Sequence, residues 1–151
     1  MIILPRKVRE FAAHHADALA VAACVALVYG SFHLFMLQEA KRLGGEYAPA
    51  IVEGNFDEGY YALRAMEAFR GDFLVGDTNL YEFRNSPAFL PMLNPLVLAL
   101  FGWISGSLEN ALMLSDFLFP PIIFIFVYLI AWELTSRRDA SIAFGALFMI
   151  A

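Results

Sequence analysis

The amino-acid sequence predicts an all-α fold: polytopic transmembrane helices, with interfacial amphipathic helices in the first extracytoplasmic loop. Three observations lead to this prediction. The chain of 151 residues is 60% apolar and only 17% charged, whereas about a quarter of the residues in a soluble domain are charged. Its apolar residues are concentrated in long segments. Basic residues stand near the ends of these segments, as they do in multi-pass membrane proteins.

The first apolar segment, Ala18 to Leu37, is the first predicted membrane span. Its 20 residues carry no formal charge. As a helix it would cover about 30 Å, the thickness of the hydrocarbon core of a bilayer. The segment is too long for the core of a typical signal peptide, and Gln38 to Lys41 lacks a small-residue cleavage motif. We therefore expect a helix that the protein retains.

Charges predict the orientation of this span. Basic residues near membrane ends favour the cytoplasm, and three precede the first span: Arg6, Lys7 and Arg9. The loop that follows, about residues 38–109, is acidic, with nine carboxylates against five basic residues between Glu39 and Arg84. We expect a multi-pass protein of the cytoplasmic (inner) cell membrane, with its N-terminus in the cytoplasm and this loop outside.

The loop contains a predicted amphipathic helix over about residues 57–70. Asp57 is placed as its N-cap, and Gly71 as its stop signal. Apolar residues recur at helical spacing on one face: Ala62, Ala65, Met66, Phe69 and Phe73. Three charged residues are predicted to lie elsewhere around the helix: Glu58, Arg64 and Glu67. We expect this helix to lie parallel to the membrane surface with its acidic start exposed.

A second interfacial helix is predicted over about residues 95–104. Asn94 and Pro95 resemble an N-cap followed by proline at the first helical position. The helix would be about 15 Å long, half of the hydrocarbon core. It is therefore predicted to lie at the outer interface, with Trp103 at the level of the lipid headgroups.

The second span is predicted over about residues 111–134, and Arg137-Arg138 after it should be cytoplasmic. Pro120-Pro121 is expected to kink this span. Asp116 lies inside the apolar segment, which makes it a functional candidate by default, and Glu133 is expected to snorkel or to pair with the two arginines. A third apolar segment begins at about residue 140 and reaches the chain end before it could span. We therefore expect the N-terminal part of a longer protein.

Several short motifs resemble the first extracytoplasmic loop of the GT-C glycosyltransferases, in particular the protein O-mannosyltransferases and the aminoarabinose transferases of lipid A. The pattern Asp57-Glu58-x-x-Tyr61 opens an alanine-rich helix that ends at Gly71-Asp72, directly after a first span. The segment Tyr81 to Pro87 resembles the aromatic-basic-proline segment of these enzymes. Leu100-Phe101-Gly102 resembles the end of their second interfacial helix. The chain departs from the family in lacking a Lys-Pro-Pro sequence at Arg84 to Pro87.

This resemblance implies transfer of a sugar from a polyprenyl-phosphate donor to an extracytoplasmic acceptor, which could be a protein, a lipid or a glycan. Asp57 matches the catalytic carboxylate that deprotonates the acceptor, and Glu58 would support it or bind a metal. Two adjacent acids could hold a divalent cation, although they are too few for a complete site. Arg84 is the candidate for binding the donor phosphate. Tyr61 could stack on a sugar or simply pack at the interface.

A second class of function remains open, namely a non-catalytic or transport membrane protein whose acidic loop is structural. A transporter would be expected to carry polar or broken helices at the bilayer midplane. The sequence contains no phosphate-binding loop, no zinc-ligand spacing and no basic aromatic stripe for nucleic acid. His14 and His15 are adjacent histidines without predicted partners, so metal binding by them is not expected.

Overall fold

The computed structural model describes residues 5–47, 56–73 and 93–150, with only the backbone described for residues 56–61. Within these ranges the regular elements are all helices, which confirms the all-α prediction there. In chain order they are α1 (Arg6–His14), α2 (Ala16–Arg42), α3 (Phe56–Phe69), α4 (Leu93–Ser105), α5 (Leu108–Thr135) and α6 (Arg138–Phe148).

Helices α2 and α5 are long and apolar enough to cross a membrane, with 27 and 28 residues. Each is about 40 Å long. Only 17% of the most apolar window of each helix is buried, whereas a core helix of a soluble protein would be mostly buried. Their large apolar side chains therefore face outward, as contact with lipid requires. The two helices indicate a membrane protein; the membrane, the number of crossings and the orientation stay predictions.

Glycines end two of the helices in the same way. Gly44, with φ of +72°, follows α2, and Gly71, with φ of +100°, follows α3. After α3 the Asp72 N–H donates to the Glu67 carbonyl at 3.0 Å, and the Gly71 N–H donates to Ala68 at 3.0 Å. This pair of bonds is a Schellman motif, which needs a left-handed residue that glycine adopts without strain. The predicted stop at Gly71 is therefore confirmed.

The chain divides into two compact units. The first comprises Met1–Phe32 and Asp116–Ala151. Its buried core is formed by Ala18 and Ala22 of α2 with Phe124 and Tyr128 of α5. Small residues let the helices approach closely, since an added Cβ at Gly145 of α6 would lie 2.9 Å from the ring of Phe124, closer than van der Waals contact.

The second unit comprises His33–Ser115, and its core joins α3, α4 and the start of α5. The buried members of this core are Ala65, Leu98, Leu108 and Ala111. Ser107 begins α5 as its N-cap, with the side-chain oxygen accepting a hydrogen bond of 3.1 Å from the Asn110 N–H. Asn110 Nδ2 in turn donates to the Ser105 carbonyl at the end of α4, also at 3.1 Å. These bonds set the turn that joins α4 to α5.

Two local predictions need correction. Helix α3 begins at Phe56 and α4 at Leu93, so Asp57 and Asn94 are the second residues of their helices and not N-caps. Helix α5 continues through Pro120-Pro121, and a kink at these prolines stays a prediction. Helix α1 was not predicted; its basic residues were used only to predict the orientation of the first span.

Candidate functional site

The residues predicted to carry chemistry lie at the start of α3 or outside the described ranges. Asp57 and Glu58 are in the first turn of α3, and Tyr61 follows one turn later. Their backbone is described and their side chains are not. Arg84 lies outside the described residues. The geometry available for this candidate site is therefore that of α3, which carries the two acids, and of α4, which supports α3.

Helix α3 packs through small residues. Ala62, Ala65 and Ala68 are buried at helical spacing. Helix α4 packs through a matching stripe of buried residues at positions i, i+3, i+4 and i+7: Pro95, Leu98, Ala99 and Gly102. The burial of Ala62 and Ala65 confirms two members of the predicted apolar face, and Ala68 is a buried residue that was not predicted. Side chains this small let two helices approach closely, so the part of α3 from Ala62 onward is packed.

The C-terminal end of α3 packs against α4 through an aromatic residue, Phe69. An added Cβ at Gly102 would lie 2.9 Å from Cδ2 of Phe69, so glycine is needed for this approach. Trp103 donates a hydrogen bond of 2.9 Å from Nε1 to the Phe69 carbonyl, one of the carbonyls that the end of a helix leaves without a helical partner. The Trp103 ring also contacts Phe73 edge-on, with the centroids 5.9 Å apart. Gly102, the last residue of the Leu-Phe-Gly motif, therefore has a packing role here.

Arg64 is the buried charge that sequence reasoning missed. Its residue surface is only 1% exposed, although the apolar periodicity places it away from the packed face. A buried cation is costly unless other groups compensate its charge. Position 64 follows position 57 by seven residues, two turns of helix, so the two positions share one stripe of α3 with position 61 between them. Helical spacing places Arg64 with the polar residues of α3, so no local signal in the sequence predicted its burial.

Helix α3 combines groups with distinct chemistry. Its first turn carries the carboxylates of Asp57 and Glu58, and its second half carries the buried guanidinium of Arg64. Acids in a first turn are favoured by the positive end of the helix dipole. An ionised carboxylate on a supported helix can accept a proton from a substrate hydroxyl.

A second polar cluster lies in the first unit, around His15. His15 is buried, and its Nδ1 lies 2.7 Å from the Tyr128 hydroxyl, a hydrogen bond whose direction depends on the imidazole tautomer. Trp132 contacts the rings of both His14 and His15, with centroids 5.8 and 5.6 Å away. Burial lowers the pKa of His15, and the neighbouring His14 and Arg138 lower it further. The two histidines therefore have partners, which come from the distant helix α5.

The arginines after α5 pair differently from the prediction. Arg138 approaches Asp17 of α2, with the nearest nitrogen and oxygen 3.5 Å apart, and Arg137 donates to Asp139 at 3.2 Å. Both partners are carboxylates other than Glu133, from the start of α2 and the first turn of α6, and Glu133 is exposed. The backbone N–H of Ala140 lowers the pKa of Asp139, and the Arg137 guanidinium lowers it further.

Two further polar residues are Asp116, a candidate from the sequence, and His33. Asp116 is exposed on α5. His33 is buried, with Nδ1 2.7 Å from the Tyr47 hydroxyl, so it ties α2 to the turn that follows this helix. Within the described ranges, His, Cys, Asp and Glu form no group of three or more that could hold a metal ion.

No protein-family model, no curated protein and no solved structure matches this chain.

Proposed function

We propose that the chain forms part of an integral-membrane glycosyltransferase of the GT-C type. This enzyme would move a sugar from a polyprenyl-phosphate donor to an acceptor outside the cytoplasm. The observation that carries the proposal is the construction of α3. Its first turn bears Asp57 and Glu58, its buried residues include Arg64, and it packs against α4. In the sequence this helix pair stands between the two candidate spans, the place where an enzyme acting on a lipid-linked donor needs its carboxylates.

The proposed reaction assigns roles to the candidate residues. The Asp57 carboxylate accepts the proton of the acceptor hydroxyl as its oxygen attacks the anomeric carbon of the sugar. The bond between that carbon and the phosphate oxygen breaks, and polyprenyl phosphate leaves with the electron pair. Arg84 binds the phosphate and stabilises the charge that develops on it. Glu58 supports Asp57 or binds a divalent cation, and Tyr61 stacks on the sugar.

Donor binding tests the lipid-phosphate part of the proposal. The protein in membranes is exposed to a polyprenyl phosphate that carries a photoreactive group, and the cross-linked peptides are identified by mass spectrometry. We expect labelling of the segment between α2 and α5, with competition by polyprenyl phosphate but not by polyprenol. Replacing Arg84 with Gln should weaken competition by about tenfold or more, since a hydrogen bond to a charged group contributes about 1.5–3 kcal/mol.

A matched control for this experiment is Arg70→Gln. Arg70 follows α3, its side chain is 67% exposed, and it lies 3.6 Å from Glu67, so its loss should leave donor labelling unchanged. If polyprenol competes as well as polyprenyl phosphate, and Arg84→Gln changes nothing, the loop recognises lipid chains without phosphate. That result would support a non-catalytic or transport protein instead.

The topology can be measured independently of activity. Single cysteines at positions 77 and 107, on either side of the apolar stretch that contains α4, are treated with an impermeant thiol reagent in a protein without its natural Cys24. We expect both to react from outside the cell, because a half-length helix at the interface does not carry the chain across the bilayer. Reaction of the Ser107→Cys protein only from inside would show that this stretch crosses.

A further inference from the structure

Helix α1 has two chemically different faces and no buried residue. At 100° per residue, Val8, Phe11 and Ala12 fall on one side. Val8 is 45% exposed and Phe11 is 50% exposed, so described parts of the chain do not cover this apolar side. The other side and its flanks carry charge: Arg6, Lys7, Arg9 and Glu10. A helix with this division needs an apolar medium on one side and water or headgroups on the other.

In the first unit, α1 lies where a boundary between lipid and water is expected, next to the start of a candidate span. The helical path is interrupted at His15, with φ of −110° and ψ of 25°, directly before the candidate span α2 begins at Ala16. The interruption makes α1 a helix separate from α2. The ring of His14 packs on Trp132 near the C-terminal end of α5, and tryptophan is enriched at membrane interfaces. The C-terminal end of α1 therefore lies next to the start of α2 and the C-terminal end of α5.

Basic and acidic residues pair at the same end of the unit. Arg138 approaches Asp17 at the start of α2, so the Arg137-Arg138 pair lies beside the junction of α1 and α2. Helix α1 itself carries three basic residues and one carboxylate, which leaves a net charge of +2. The carboxylate is that of Glu10, which lies 2.7 Å from Arg6. Anionic headgroups attract basic residues at a membrane surface. The charge of α1 is therefore complementary to an anionic leaflet.

We propose that α1 lies in the plane of the membrane and binds anionic phospholipid headgroups. Val8 and Phe11 enter the boundary of the acyl chains, while Arg6, Lys7 and Arg9 extend to the phosphates around them. The partner is the lipid surface and not a second protein. This inference requires a membrane protein but not sugar transfer, so its outcome is independent of the proposed enzymatic activity.

Spin labels can test the depth of both faces. Cys24 is the single cysteine of the chain, so a Cys24→Ala background allows Phe11→Cys on the apolar face and Ala13→Cys on the opposite face as a matched pair. The protein is placed in vesicles of phosphatidylcholine alone or mixed with phosphatidylglycerol. We expect the label at position 11 to collide more with oxygen and less with a water-soluble nickel reagent, and the label at position 13 to do the reverse. Phosphatidylglycerol should increase this contrast.

The charge dependence needs a variant of its own. Replacing Arg6, Lys7 and Arg9 together with Gln should return the contrast in phosphatidylglycerol vesicles to the value in phosphatidylcholine, since each basic residue contributes about fivefold to binding. A Lys41→Gln, Arg42→Gln protein, altered at the other end of α2, should keep the full contrast. Equal water accessibility at positions 11 and 13 would overturn the in-plane placement. A contrast that neither phosphatidylglycerol nor the triple replacement changes would overturn the binding of anionic headgroups.

Discussion

Replacing Asp57 with Asn is expected to lower the rate of sugar transfer by about 10²-fold or more, while α3 remains folded. A general base needs a negative charge and a free lone pair, and an amide has neither the charge nor the basicity. The start of a helix makes a weaker demand. Loss of one charge from the first turn costs about 0.3–1 kcal/mol, and α3 is held by buried contacts with α4. Activity and stability should therefore separate in this variant.

The neighbouring acid provides the control for this prediction. Glu58→Gln removes a charge from the same turn of α3 but not the proposed base, so its effect on turnover should be milder. Transfer is measured in membranes from a polyprenyl-phosphate sugar to an acceptor mixture, with protein amounts matched by immunoblot. Near-normal turnover of Asp57→Asn would show that this residue serves only the start of the helix. Equal losses in both variants would assign the chemistry to the pair.

Replacing Gly30 with Ala is expected to destabilise the first unit by about 1–3 kcal/mol, the usual cost of forcing extra volume into a packed site. An added Cβ at Gly30 of α2 would overlap the ring of Phe117 on α5, meeting three of its ring atoms. The aromatic ring cannot yield as the end of a flexible side chain would, so the two helices must move apart. The free energy of unfolding is measured in detergent micelles by titration with dodecyl sulfate, followed by circular dichroism.

A compensating replacement checks the cause of this loss. Phe117→Ala removes the ring that the new methyl group would meet, so the double variant should be less unstable than the sum of the two single variants. Gly45→Ala is the matched control, because an added Cβ there would have its nearest neighbour at 3.8 Å, the Ala40 carbonyl. It should change stability by no more than about 0.5 kcal/mol. A loss in Gly30→Ala that Phe117→Ala leaves fully additive would point to a different cause.

The sequence by itself determined the features that depend on residues close together in the chain. The length and apolarity of α2 and α5 follow from their composition, because a span needs only about 20 consecutive apolar residues. The alanine spacing of α3 and the stop at Gly71 follow from the helical period and from the freedom of glycine to take positive φ. Each of these signals lies within a few turns of chain.

The tertiary structure decided the features that depend on distant partners. The burial of Arg64, the bond between His15 and Tyr128, and the approach of Arg138 to Asp17 could not be predicted from local periodicity. His15 and Tyr128 are 113 residues apart in the chain, and a buried polar group accepts whichever partner the packing brings within hydrogen-bonding distance. Helical spacing assigned Arg64 to the polar side because it ranks residues by type, whereas burial depends on which surfaces of α3 are covered. The sequence shows that α3 carries an arginine at position 64, but the packing of α3 against its neighbours determines that this arginine is buried.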